Sequence, residues 1–223
     1  MNPYYQETEN YWNQVFDQAP TYDATKPLPY DALEDALAWL SEGKPSVLDF
    51  GCGHGKMALR CLAHGAGLVC GMDLSASAID VASKVAENHG YEDRSCFLCK
   101  GVNALDATKS QSYDAAILFN IVDNLLPLDA LCTLRQIARI LKEDGRLLLK
   151  LNPYLDKEEI TKQGIEQVGE HIYREASGLY LWNLTDEQWE AVLETHFHIQ
   201  RYEVVSLSPH PVTQRLYYLT KKD

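Results

Sequence analysis

Residues Val47 to Gly55 read Val-Leu-Asp-Phe-Gly-Cys-Gly-His-Gly, a short apolar run that meets an acid and then three glycines at alternate positions. A strand that ends in this way and runs on into a helix-like segment opens a βαβ unit, so it commits the chain to an α/β sheet. Glycine has no Cβ, which lets the backbone turn sharply and lets a ligand lie against bare peptide groups. The helix that starts beyond the turn adds N–H donors and a positive partial charge. Asp73 closes the next apolar run, 22 residues after Gly51. That is about one βαβ step, where an acid can accept hydrogen bonds from two ribose hydroxyls. The combination describes one half of a nucleoside site.

The spacing selects the nucleoside. A dinucleotide site uses G-x-G-x-x-G, with the third glycine three residues after the second. Here Lys56 stands in that place and the third glycine comes early, at Gly55. Asp49 would repel a pyrophosphate and suits a ligand with an ammonium group. Acid-x-Gly-x-Gly-x-Gly after a strand, with a second acid ending the next strand, resembles the class I S-adenosylmethionine-dependent methyltransferases. The resemblance covers residues 45–152 by motif. It implies that Asp49, Gly51, Cys52 and Gly53 lie under the methionyl part of S-adenosylmethionine. It also implies that Asp73, with Leu74, holds the ribose, and that S-adenosylhomocysteine is the product.

Charge narrows the partners. The formal net charge is −12 over 223 residues, so approach to a phosphate backbone is disfavoured and nucleic acid is not the expected partner. Hydrophobic content of 46% and charged content of 23% are ordinary for a soluble domain. The start, Met1 to Glu7, has neither a basic region nor an apolar core, and no apolar run nears the roughly 20 residues of a membrane span. The expected location is cytoplasmic, with no membrane association. The cysteines (Cys52, Cys61, Cys70, Cys96, Cys99 and Cys132) read as buried small hydrophobes. Cys96 and Cys99 sit three apart on a strand, on opposite faces, and no second pair completes a metal set. The seven histidines show no ligand spacing, so no metal is expected.

From Ser46 onward strand-like and helix-like segments alternate. Strands are expected at 46–50, 68–72, 96–100, 115–119 and 146–151. Helices are expected at 56–63, from the N-cap Ser75 to about 88, and from Asp129 onward, with Leu131, Leu134, Ile137, Ala138 and Leu141 at helical spacing. Thr185 to Gln188 looks like a capped helix start, and two last strands, near 198–206 and 214–220, flank Ser208-Pro209-His210-Pro211. The expected fold is α/β. It is a doubly wound, mostly parallel seven-stranded sheet with helices on both faces and an antiparallel last strand. Residues 1–44 form a helical cap or lid, and 45–223 the cofactor-binding domain. Within that domain, 153–183 is an insertion at the acceptor pocket.

Ligands of open α/β sheets bind beyond the carboxyl ends of the strands, where strand order reverses. This adds the loops after strands 3 and 4 to the site: Asn103, Ala104, Phe119 and Asn120. Two loops depart from the family pattern. After strand 3, Lys100-Gly101-Val102-Asn103-Ala104 has no acid for the adenine amino group. Either Asn103 accepts weakly through its amide oxygen, or Val102 occupies that place and only packs on the ring. After strand 4, Asn124 stands near the place where many relatives carry a histidine. The N-terminal section is rich in aromatics (Tyr4, Tyr5, Tyr11, Trp12, Phe16, Tyr22 and Tyr30), and the 153–183 section holds Tyr154, Tyr173, Tyr180 and Trp182. Such segments can wall off an acceptor, and Tyr22 is assigned to the cofactor site with them.

No residue identifies itself as a general base, so the catalytic residue is unassigned. His54 is a turn residue, and Asn152-Pro153-Tyr154 lies in the wrong loop for an amine-methylation motif. The expected activity is methyl transfer to a small molecule by proximity and orientation. A NAD(P)-dependent oxidoreductase is the first alternative, and a cofactor-binding scaffold subunit without its own activity the second. The sequence leaves the acceptor and the oligomeric state open.

Overall fold

The computed structural model describes residues 5–206 and 213–222. A seven-stranded sheet is built from β1 (Ser46–Phe50), β2 (Leu68–Asp73), β3 (Ser95–Cys99), β4 (Tyr113–Phe119), β5 (Leu141–Leu151), β9 (Phe197–Ser206) and β10 (Thr213–Lys221), in the order β3-β2-β1-β4-β5-β10-β9. The first five strands run parallel, and β10 pairs antiparallel with both β5 and β9. This is the expected fold class. Strand order reverses between β1 and β4, so the loops after these two strands flank the crevice.

The sheet is covered on both faces because its strands are apolar at successive positions. Side chains alternate across it. Leu48, Phe50, Leu118, Leu147, Leu149 and Tyr217 point to one side, where they meet α6 (Pro127–Ile140) and α8 (Asp186–Leu193). Val47, Ile117, Leu148, Leu216 and Tyr218 point to the other, where they meet α2 (Asp31–Ser41), α3 (Lys56–Ala63) and α4 (Ala76–Asn88). Ser75 caps α4 as expected, its hydroxyl accepting from the Ala78 N–H at 3.1 Å. Thr185 and Gln188 form the expected capping box of α8.

The differences from the sequence reading have local causes. β5 begins at Leu141 rather than Arg146 because Leu141 pairs with Tyr113 ahead of an irregularity. Within it Asp144 has φ 57, so the expected Asp144-Gly145 turn is a kink inside the strand. α6 opens at Pro127, where a missing N–H costs nothing in a first turn. Cys52, Cys61 and Cys70 are buried, but Cys96 and Cys99 are exposed and Cys132 is partly so. The first two lie on β3, an edge strand with one open side. The Ser208 to Pro211 connection lies outside the described residues.

Two further parts surround the sheet. Helix α1 (Gln6–Asp17) crosses the loops after β1 and β2. Its Asn13 Oδ1 accepts from Ser75 Oγ at 2.8 Å, Asp17 accepts from Ser77 Oγ, and Tyr5 just before it donates to Asp129 Oδ2 at 2.6 Å. The chain after α1 is held by Arg60, which donates to the carbonyls of Ala24 and Thr25 while paired with Glu34. Between β5 and α8 lie α7 (Lys157–Gln163) and a small antiparallel sheet, β6 (Glu166–Gly169), β7 (Ile172–Arg174) and β8 (Tyr180–Trp182). Short α5 (Ala104–Ala107) follows β3. The buried Asn183 amide clasps both backbone groups of Leu155, at 2.7 and 3.0 Å, and closes the base of the insertion.

Candidate cofactor and active site

Two adjoining cavities lie at the carboxyl end of the sheet beneath α1. The first, about 260 Å³, is lined by Gly51, Gly53, Asp73, Leu74, Val102, Phe119, Asn120 and Ile121 from below. Thr8, Trp12 and Phe16 of α1 close it from above. The second, about 450 Å³, continues past Val102 to Asn103 and Ala104, with Tyr5, Thr8 and Glu9 over it. Leu74, Lys100, Gly101, Val102, Leu125 and Thr8 belong to both.

The glycine loop is held by hydrogen bonds. Gly51 and Cys52 N–H groups donate to the Met72 carbonyl at 2.7 and 3.1 Å, which carries the chain from β1 across the end of β2. Gly51 has φ +78, and an added Cβ would overlap the Ile121 side chain. Gly53 has φ +51 and lies against the Phe16 ring. Both glycines are therefore required by the backbone and by neighbours, not only by a ligand.

The two acids differ. Asp73 is half engaged in building the loop: Oδ2 accepts from Gly53 N–H at 2.8 Å and Oδ1 from Ser75 N–H at 2.9 Å. Burial raises its pKa, and these backbone bonds with that of Leu74 oppose the rise. Each oxygen keeps a further lone pair for a hydroxyl donor. Asp49 is 2% exposed, and its Oδ2 has no hydrogen-bond partner among the described residues. Burial, opposed by the Ala58 N–H and aided by the charge of Asp73, pushes its carboxyl up to about 7. A buried, unsatisfied carboxylate oxygen is costly and is suited to a cationic partner.

Of the other expected residues, Leu74 and Phe119 line the first cavity and Asn103 and Ala104 the second, whereas Asp49, Cys52 and Tyr22 border the glycine loop without lining either. Tyr22 donates its hydroxyl to the His54 carbonyl at 3.0 Å, and burial raises its pKa strongly. The His54 ring is packed between Phe16 and Tyr22, at 5.5 and 5.0 Å between centroids, and burial lowers its pKa. Asn103 is exposed and makes no capping bond to α5. Asn120 lines the first cavity with φ 55, and its amide is taken up by a polar cluster. Its Nδ2 donates to Asn152 Oδ1 and Gln214 Oε1, at 2.8 and 3.0 Å, and its Oδ1 accepts from Lys150 Nζ.

The sequence reading did not select Thr8, Glu9, Ile121 or Lys150. Burial pushes the Lys150 ammonium down to about 8, against the attraction of the fully buried Asp123. Lys150 sits 5.4 Å over the Phe119 ring. Alternation of faces along β5 could have flagged it as the single charge in an apolar run. The spacing Tyr5-Thr8-Glu9-Trp12-Phe16 could likewise have flagged one face of a helix. None of the residues of the 153–183 insertion lines these cavities. It instead grips α1, through the ion pair of Arg174 with Glu7 and the edge-on contact of Tyr180 with Tyr5 at 6.4 Å.

Comparison with known proteins places this geometry. Residues 47–145 match a family model described as a methyltransferase domain. Among curated relatives, the ribosomal protein L11 methyltransferase of Shewanella sediminis is 41% identical over 61 residues, 26% of this chain and 21% of that protein. The chain spans between 21% and 35% of the length of the curated relatives it matches. Among the solved structures that share the fold are the following two. The Burkholderia thailandensis 1,6-didemethyltoxoflavin-N1-methyltransferase, with bound 1,6-didemethyltoxoflavin and S-adenosylhomocysteine, has a TM-score of 0.68 at 19% identity, covering 87% of this chain and 80% of the other. The [4+2]-cyclase SpnF has a TM-score of 0.71 at 20% identity, covering 97% and 94%.

Proposed function

We propose, for a chain that carries a class I S-adenosylmethionine-dependent methyltransferase domain, that it transfers the methyl group of S-adenosylmethionine to a small-molecule acceptor enclosed beneath α1. The observation that carries this reading is the grouping of three elements in the crevice and directly behind its glycine loop. Asp49 brings a buried, unpartnered carboxylate oxygen, the loop at Gly51 and Gly53 brings bare backbone, and Asp73 brings spare acceptor capacity at the end of β2. These groups suit an ammonium, a methionyl chain and a ribose in turn.

The cofactor supplies a methyl group already activated by its sulfonium. What the protein adds is placement. Asp49 would hold the amino group, Asp73 with Leu74 the ribose, and Asn103 and Ala104 lie along the outer cavity. Phe119 and Ile121 border the part of the first cavity nearest Gly51. Trp12 and Phe16 close that cavity and would exclude water from the sulfonium. Residues 1–44 would act as a lid on the domain formed by 45–223. The insertion at 153–183, expected to shape the acceptor pocket, is better read as the lid's buttress.

A small acceptor is favoured by the covering of the first cavity by Trp12 and Phe16 and by the net charge of −12. The curated relatives are named for a ribosomal protein acceptor, and their short matches leave most of their length without a counterpart. Methyl-labelled S-adenosylmethionine, incubated with the protein and a metabolite extract or a protein extract, separates the two. Label in the low-molecular-weight fraction supports the proposal, and label only in protein overturns its acceptor class.

A further inference from the structure

We propose that Thr8 and Glu9 of α1, rather than the loop after β3, recognise the adenine edge of the cofactor. In this assignment Glu9 accepts from the exocyclic amino group and Thr8 donates to a ring nitrogen. This rests on the cofactor reading above.

The loop after β3 lacks what the task needs. Val102 lines both cavities with an apolar side chain that can only pack on a ring, and Asn103 is exposed. Glu9 is the one carboxylate among the described residues lining the second cavity. It lines the same cavity as Val102 and Asn103, so α1 offers an acceptor where the loop after β3 offers none. The second observation is Thr8. It is 7% exposed, lines both cavities, and its Oγ1 has no hydrogen-bond partner among the described residues. Thr8 lies in the first turn of α1, with no preceding helical turn to take its hydroxyl, so a buried hydroxyl left unpaired beside a cavity is a donor awaiting an acceptor.

Tyr5, Thr8, Glu9, Trp12 and Phe16 recur at helical spacing and form the inward stripe. Thr8 and Glu9 are its polar breaks, and they lie together over the outer cavity. The aromatic members lie to either side. Carrying the base-reading groups on α1 would make adenine recognition and seating of the helix one event.

Calorimetry with S-adenosylhomocysteine and S-inosylhomocysteine, whose 6-position carries an oxygen in place of the amino group, tests the assignment. The wild type should prefer the adenosyl ligand by about tenfold or more, since a site built to accept from an amino group rejects an analogue lacking it. Glu9→Gln offers a donor as well as an acceptor, so the preference should shrink to about threefold or less, with an unchanged melting temperature. Thr8→Val should weaken the adenosyl ligand, and Thr8→Ser should restore it. A second measurement needs no variant: S-adenosylhomocysteine should slow amide exchange in α1, and S-ribosylhomocysteine, which lacks the base, should not. If the wild type binds S-adenosylhomocysteine but Glu9→Gln keeps the full preference and α1 is protected without the base, this assignment is wrong while the cofactor reading stands. If the wild type binds neither nucleoside ligand, both fall.

Discussion

Asp73 Oδ2 accepts the backbone N–H of Gly53 at 2.8 Å, so the acid at the end of β2 fixes the glycine loop that leaves β1. The same carboxylate holds Ser75 N–H at 2.9 Å, at the N-terminus of α4. It therefore links the loop and the helix that frame the crevice, and the ribose-binding role proposed for it would be built on that structural one. Removing the side chain should have two separable effects.

Asp73→Ala should weaken S-adenosylmethionine by about 1.5–3 kcal/mol, the scale of hydrogen bonds to a charged group. It should also lower the melting temperature, because two buried N–H donors lose their acceptor. Asp73→Asn keeps one good acceptor but turns an amide N–H₂ toward a backbone donor, so it should recover only part of either loss. Titration calorimetry and thermal melts on both variants check this, and wild-type affinity in Asp73→Ala would remove the residue from the site.

Asp49 predicts a pH dependence. Its folded pKa is pushed up to about 7, chiefly by burial, against about 3.9 in an unfolded chain. A raised folded pKa means that the native state binds the extra proton. The stability it contributes is complete below about pH 4 and is lost as pH rises to about 7. Asp49→Asn should therefore be more stable than the wild type at pH 8 and bind S-adenosylmethionine far more weakly. In the wild type, ammonium binding should release close to one proton at pH 6. Calorimetry at pH 6 in two buffers of different ionisation enthalpy measures that release, and a value near zero would contradict the pairing.

Gly51 meets two demands at once, a φ of +78 and the Ile121 side chain over its Cα. Gly51→Ala should destabilise by several kcal/mol, from overpacking of about 1–3 kcal/mol plus the left-handed strain. Adding Ile121→Ala should return only the steric part. A double-mutant cycle by denaturant unfolding gives the coupling, and additive losses would show that Ile121 does not cover the loop.

Helix α1 is tied down by Tyr5, whose hydroxyl donates to Asp129 Oδ2 and accepts from Leu126 N–H, at 2.6 and 3.0 Å. Tyr5→Phe removes both bonds and should speed amide exchange across α1, while α6 and the sheet stay protected. Cofactor release should accelerate with it. An exchange map unchanged at Tyr11 to Phe16 would show that the helix is anchored elsewhere, through Asn13 and Glu7.

The sheet was legible because its pattern is written in consecutive residues. Apart from Asp49 and Lys150, Val47 to Phe50 and Leu147 to Leu151 are apolar on both faces, as strands covered on both sides must be, and Ser75 and Thr185 mark helix starts by their own hydroxyls. The glycine loop and its flanking acids were legible for the same reason: Asp49, Gly51, Gly53 and Asp73 are close in sequence or one βαβ step apart. The third glycine carried a different meaning from the first two. Its added Cβ would meet Ala82 and Phe97 at 2.8–2.9 Å, so Gly55 serves the packing of α3 against α4 and β3. What stayed hidden depends on long-range meetings. Lys150 and Gln214 on β5 and β10 converge with Asn120 just after β4, and Thr8 gains its importance only when α1 lies over the loops after β2 and β3. The small β6–β8 sheet escaped because its strands are three or four residues long and mostly half exposed, too short to show a period.

The central claim is that this crevice is built for S-adenosylmethionine, and ligand-dependent thermal stability tests it most directly. S-adenosylmethionine or S-adenosylhomocysteine at 100 times its dissociation constant should stabilise the protein by about 2.7 kcal/mol, with NAD and NADP at the same concentrations giving no shift. Asp73→Ala should cut the response to both sulfur ligands at those concentrations to about 0.3–1.3 kcal/mol. Stabilisation by NAD or NADP alone, or by none of the four, would contradict the account.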